Sequence, residues 1–118
     1  MESYVNEYGH PIVGITVVGS RGSATAEAIL NTGFDGDVCL PTQVAIQLGL
    51  ELAATQLIEL ADGTRKRELI FAGEGIFEDE TRKVEIILTE GQDTLIGTRL
   101  LAHKTLEINF SKRTVAIR

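Results

Sequence analysis

The chain has one cysteine, two prolines, no tryptophan, and only four Phe and two Tyr among 118 residues. The lone Cys39 excludes an internal disulfide and a cysteine-rich metal site. No apolar run approaches the roughly 18 residues that would span a bilayer, so no membrane partner is expected. The opening residues, Met1-Glu2-Ser3-Tyr4-Val5-Asn6-Glu7, carry neither a basic region nor an apolar signal core, so a cytoplasmic location is expected. Positive charge is scarce: 11 basic against 17 acidic residues leave a net −6, which argues against a nucleic-acid partner and mostly favours solubility. His10 and His103 stand alone, and Asp35-Gly36-Asp37 lacks the further oxygen ligands and the Glu of a calcium loop. No metal and no cofactor is expected. No repeat or linker divides the chain, and its length suits a single domain over residues 1–118.

Glycine and β-branched residues are plentiful instead. The twelve glycines suit a small β domain with tight turns. Residues 1–10 read as a polar arm. Pro11 to Val18 is a strand with Val13, Ile15 and Val17 on one face. Gly19 to Ser23 is a turn. Ala24 to Leu30 is alanine-rich but short, and it runs straight into Asn31-Thr32-Gly33; it reads as a strand. Asp37 to Leu40 is a short strand, and Pro41 to Leu48 a helix with Gly49 as its C-cap. Asp62-Gly63, between Gln56–Ala61 and Arg65–Phe71, is a strong hairpin signal. Gly75–Phe77 and Lys83–Leu88 form a second hairpin around Glu78-Asp79-Glu80, with Val84, Ile86 and Leu88 alternating inward. Leu95-Ile96-Gly97 begins a short helical turn through Leu101, and Thr105–Phe110 pairs with Thr114–Ile117 as a C-terminal hairpin over 105–118. The class is mainly β with one or two short helices.

The stretch Ala28-Ile29-Leu30-Asn31-Thr32-Gly33-Phe34-Asp35 resembles the active-site loop of retropepsin-like aspartic proteases, where apolar residues run into Asp-Thr-Gly or Asp-Ser-Gly. Leu95-Ile96-Gly97 resembles that family's second mark, and the Asp62-Gly63 hairpin falls where the family keeps its flap. The ordered set is far more specific than a lone Thr-Gly turn. It covers about residues 12–110 and is most similar to bacterial and cyanobacterial single-domain members. The resemblance implies half of an acid-protease barrel with a flap, completed as a homodimer, that hydrolyses peptide or protein substrates.

By position, the resemblance assigns Asn31, Thr32 and Gly33 to the catalytic loop. Phe34, Asp35, Ala61, Asp62, Gly63 and Ile96 fall to substrate binding. Thr32 would bond across the two-fold axis, and Gly33 would let substrate backbone approach. The plainer alternatives are turn formation for Asp35 and Asp37, core packing for Phe34, and a simple surface hairpin for Asp62-Gly63. Retroviral members use chain termini in an interface sheet. Here Thr114–Ile117 is expected as an extra strand that alters it.

One departure governs the chemistry: Asn31 stands where the family has its catalytic aspartate. The reaction needs facing carboxyls that share a proton, one acting as base toward water and one as acid toward the scissile carbonyl. An amide holds the hydrogen bonds but cannot act as a base, so the chain is expected to be an inactive Asp-to-Asn variant. Engineering against self-cleavage and a naturally inactive dimeric peptide-binding module both fit. A rival of another class, a nucleotide site at Gly19-Ser20-Arg21-Gly22, requires Ala24–Leu30 to be a helix and lacks the third glycine of the dinucleotide fingerprint.

Overall fold

A computed structural model of the chain describes residues 3–118. The strands are β1 (Tyr4–Val5), β2 (Pro11–Val18), β3 (Ser23–Leu30), β4 (Val38–Pro41), β5 (Glu51–Glu59), β6 (Arg65–Phe77), β7 (Glu80–Thr89), β8 (Thr94–Ile96), β9 (Leu106–Asn109) and β10 (Thr114–Ile117). One helix, α1 (Thr42–Leu48), lies between β4 and β5. The sheet order is β5-β6-β7-β4-β8-β3-β2-β1-β10-β9, and β6 also pairs with β2. That extra pairing closes β6, β7, β4, β8, β3 and β2 into a barrel. It leaves β5 as a flange on one side and β1-β10-β9 as one on the other.

β6 closes the barrel by changing partners along its length. Its first part pairs with β5, from Arg65 opposite Glu59 to Ala72 opposite Glu51. Its last part pairs with β2, from Glu74 opposite Val18 to Ile76 opposite Thr16. Gly73 sits at the change, where a Cβ would lie 3.2 Å from the Val18 carbonyl oxygen and 3.0 Å from side-chain carbons of Ile86 and Leu50. The alternating residues fill the interior: Val13, Ile15 and Val17 from β2, Val84 and Ile86 from β7, and Ile96 from β8 are all buried. Each large apolar side chain so buried contributes about 1.5–3 kcal/mol. Ala45 and Leu48 of α1 join this core, and the helix ends at Gly49 in the left-handed region.

Several expectations are corrected. The polar arm contains a strand: Tyr4–Val5 bridges β2 and β10 because Val5 buries its side chain there. Residues 1 and 2 of that arm lie outside the described residues. Pro41 ends β4 rather than starting the helix, with a ψ of 138°. The turn between β6 and β7 is Glu78-Asp79 alone, both at positive φ (50° and 63°), and Glu80 already belongs to β7. Leu95-Ile96 is not the start of a helical turn. It lies in β8, parallel to β3 and antiparallel to β4, because both residues are drawn into the barrel ladder. The following residues 98–104 make hydrogen-bonded turns, without a second helix among the described residues. Ala24–Leu30 lies within β3, antiparallel to β2, which removes the helix on which the nucleotide site depended.

Candidate active site

The parallel pairing of β3 with β8 sets Leu30 opposite Ile96. Asn31 continues that ladder for one bond, its N–H donating to the Ile96 carbonyl at 2.9 Å. The chain then turns. The Asn31 side-chain oxygen accepts the Gly33 N–H at 2.9 Å, and the Asn31 carbonyl accepts the Phe34 N–H at 3.0 Å. A short polar side chain that bonds the backbone two residues on is what such a turn requires. Because Gly33 N–H needs an acceptor, the amide presents its oxygen inward and its two donors outward. Asn31, Thr32 and Gly33 are exposed.

Residues 97–99 clamp the rest of the loop. Gly97 N–H donates to the Asp37 carbonyl at 3.0 Å, Thr98 N–H to the Phe34 carbonyl at 2.8 Å, and Arg99 N–H to the Gly36 carbonyl at 3.3 Å. The approach is so close that only glycine fits at 97: a Cβ would stand 2.2 Å from the Gly36 oxygen and 2.6 Å from the Phe34 oxygen. This is the structural role of the apolar-apolar-Gly mark. Ile96 is fully buried and serves the loop through its backbone, so its side chain faces the core.

A charged network backs the loop. Asp37 is buried, and its carboxylate accepts the Glu85 N–H at 2.9 Å while Arg82 lies 4.0 Å away. Arg82 also donates to the Arg99 carbonyl at 3.1 Å. The Arg99 guanidinium pairs with Glu85 at 2.9 Å. That hydrogen bond, with the charges of Asp37 and Glu85, holds its pKa above the usual value. Asp37 had looked like a plain turn former in the sequence; its burial depends on β7, a non-local neighbour.

Beside the loop lies a cleft of about 500 Å³. Phe34, Asp35 and Val38 line its loop side, and Gln56, Ile58, Glu68 and Ile70 line its hairpin side. Phe34 and Asp35 therefore lie in the cleft. Ala61, Asp62 and Gly63 are at the exposed hairpin tip and do not line it. The tip is closed by Leu60 and Thr64 and by Asp62, whose carboxylate accepts both the Thr64 hydroxyl (2.6 Å) and N–H (2.9 Å). Those bonds, the hydroxyl's first, hold the Asp62 pKa below its ordinary value. The cleft-lining residues Glu68 and Gln56 escaped sequence reading, although each alternates with an isoleucine, Ile70 and Ile58, on the same face.

Cys39 is buried, and burial followed by the Glu68 charge pushes its thiol pKa up, the opposite of an activated nucleophile. Among the described residues no group of His, Cys, Asp and Glu is placed to hold a metal ion. No helix there is long and apolar enough to cross a membrane.

No protein-family model matches the chain, and no curated protein matches its sequence. Solved structures do. A retropepsin-like aspartic protease from Rickettsia conorii superposes with a TM-score of 0.67 at 17% identity, covering 100% of this chain and 92% of that one. The EIAV protease, solved with the inhibitor HBY-793, gives 0.58 at 15% identity, covering 81% and 88%. The simian foamy virus (mac) protease gives 0.56 at 14% identity, covering 74% and 87%. Barrel, clamped loop and overhanging hairpin occur here in one chain, and it has the fold of the retropepsin-like aspartic proteases.

Proposed function

We propose that two copies of this chain pair about a two-fold axis at the Asn31-Thr32-Gly33 loop and form a peptide-binding cleft of the aspartic-endopeptidase type. The observation that carries this reading is the loop itself. It is rigidly clamped from behind yet exposed in front, next to a cleft beneath a hairpin. One chain supplies one such loop, which is half a site, so a symmetric dimer is required. Thr32 then bonds to the partner loop, and the Asp62-Gly63 hairpin closes over substrate as a mobile flap.

As it stands, with Asn31 in both subunits, the dimer binds extended peptides without cutting them. An aspartate at 31 supplies the missing pair of carboxyls. Their mutual repulsion makes the pair share one proton, so activity follows a bell-shaped pH profile. Asn31 equally favours a second reading, a dimeric peptide-binding module that never cuts. One experiment decides: assay the chain and Asn31→Asp on a peptide library from acidic to neutral pH, with light scattering for the dimer. The proteolytic reading expects a gain of about a thousand-fold or more in the Asp form, the scale of a positioned acid–base pair. Equal cleavage by both forms removes the reaction from this site. Binding without cleavage by either leaves the module, and a chain that is only monomeric removes both.

A further inference from the structure

We propose that the cleft beside the loop selects a cationic side chain, lysine or arginine, from an extended peptide, with Glu68 as the specificity-determining residue and Asp35 at the mouth. The inference rests on the peptide-binding reading above and names its substrate class. Four acidic side chains line the cleft (Asp35, Asp37, Glu68 and Glu85) against one cation, Arg99. The structure already accounts for two of the four. Asp37 is bonded to Glu85 N–H with Arg82 alongside, and Glu85 is paired with Arg99. Among the described residues Glu68 and Asp35 have neither an ion pair nor a side-chain hydrogen bond. Lys66, two residues before Glu68 on the same strand, lies outside the cleft lining.

The strand registers explain why Glu68 faces this space. Gln56 is opposite Glu68, and Ala54 opposite Ile70, between β5 and β6; the next residues of β7 and β4 on that face are Ile87 and Cys39, themselves paired. Glu68 thus shares its face with Gln56 and with the apolar Ile70 and Ile87. Ile58, Ile70 and Ile87 offer a wall about as long as an aliphatic stem, with a carboxylate beside it. Lysine and arginine match that pattern, since they bury their methylenes and keep the charged head at a polar edge. The apolar wall also lowers the local dielectric, which strengthens the attraction over that of a free surface pair. An acidic peptide side chain meets two uncompensated carboxylates and is rejected.

The test is fluorescence anisotropy on the unaltered chain, which needs no catalysis. Labelled peptides that differ only in carrying Lys, Arg, Gln, Leu or Glu are compared, with the variable position scanned along the peptide. At one position Lys and Arg should bind about 3–10-fold tighter than Gln, the range of partly screened ion pairs, and Glu more weakly than either. The advantage should shrink as salt is raised, a readout that requires no variant. Glu68→Gln should reduce it to about two-fold or less, and Glu68→Lys should turn the preference toward Glu, since like charges repel. Peptides that bind with no charge preference at any position overturn this inference alone. A preserved preference in Glu68→Gln also overturns it. Binding by no peptide overturns it together with the peptide-binding reading. A cationic preference in a chain whose Asn31→Asp form does not cut supports it while removing the endopeptidase.

Discussion

Replacing Gly97 by alanine tests the clamp on which the site depends. The added methyl would sit 2.2 Å from the Gly36 oxygen, 2.6 Å from the Phe34 oxygen and 2.8 Å from a Phe34 ring carbon. Two of these are backbone atoms, which no rotamer change can move. The loop must retreat by about 1 Å to reach ordinary contact, and that separation breaks the bonds around the methyl. Three are at stake: Gly97 N–H to Asp37, Thr98 N–H to Phe34, and Arg99 N–H to Gly36. At about 1 kcal/mol net for each, the loss is about 3 kcal/mol. That is a large part of the roughly 5–15 kcal/mol that holds a domain folded. At about 4 °C per kcal/mol for a chain of this size, Tm should fall by about 12 °C. Urea and thermal unfolding of Gly97→Ala should be read beside Gly22→Ala. There the nearest atom to the new Cβ, the Gln47 carbonyl oxygen, is 4.0 Å away. If the two variants fall within about 0.5 kcal/mol of each other, the range of a neutral surface change, the loop is not clamped by this contact and the reasoning fails.

The hairpin tip should respond to acid. Asp62 has its folded-state pKa lowered by Thr64, so the tip bonds it makes are fully present above the unfolded value and are lost as pH falls through the folded one. In an NMR titration the Thr64 amide should report a midpoint below that of an ordinary aspartate, and Thr64→Val should bring the Asp62 midpoint back up. An unchanged midpoint in that variant would contradict the assignment. Cys39, buried and with a raised pKa, should react with a thiol reagent orders of magnitude more slowly in the native protein than in denaturant. Rapid native labelling would mean that the sheet opens around β4.

What the sequence made legible was local. Val13, Ile15 and Val17 alternate and are buried together; Asp62-Gly63 stands in the turn of its hairpin; Gly49 caps α1 in the left-handed region. Each follows from period-two patterning or from a residue with one conformational use. The misread segments depend on distant partners. A three-residue strand such as Thr94–Ile96 has too little length to show a period, and its parallel neighbour β3 is more than sixty residues earlier. Tyr4–Val5 is extended because β2 and β10 flank it, not because two residues prefer a strand. The site divides the same way. The loop 31–35 was readable as a contiguous motif. Asp37 was mistaken for a turn residue because its partners, Arg82 and Glu85, lie on β7. Glu68 was missed because the cleft it faces exists only after β5 and β6 fold over residues 34–38.

The loop's geometry does not depend on the carboxyl that the proposed reaction needs. Asn31 engages Gly33 N–H through a side-chain oxygen, and a carboxylate has an oxygen in the same place. The turn is therefore indifferent to which of the two is present, and the backbone bonds to residues 96–99 do not involve the side chain at all. Shape and reactivity are separable at this position. In the proposed dimer the separation has a direction. Two facing carboxylates repel unless they share a proton, so an aspartate pair favours reaction at the expense of assembly as pH rises. Two facing amides carry no such penalty and can donate hydrogen bonds outward. An Asn31 dimer would hold its cleft together across a wider pH range than its Asp counterpart, which is the behaviour of a peptide-holding site and not of a cutting one.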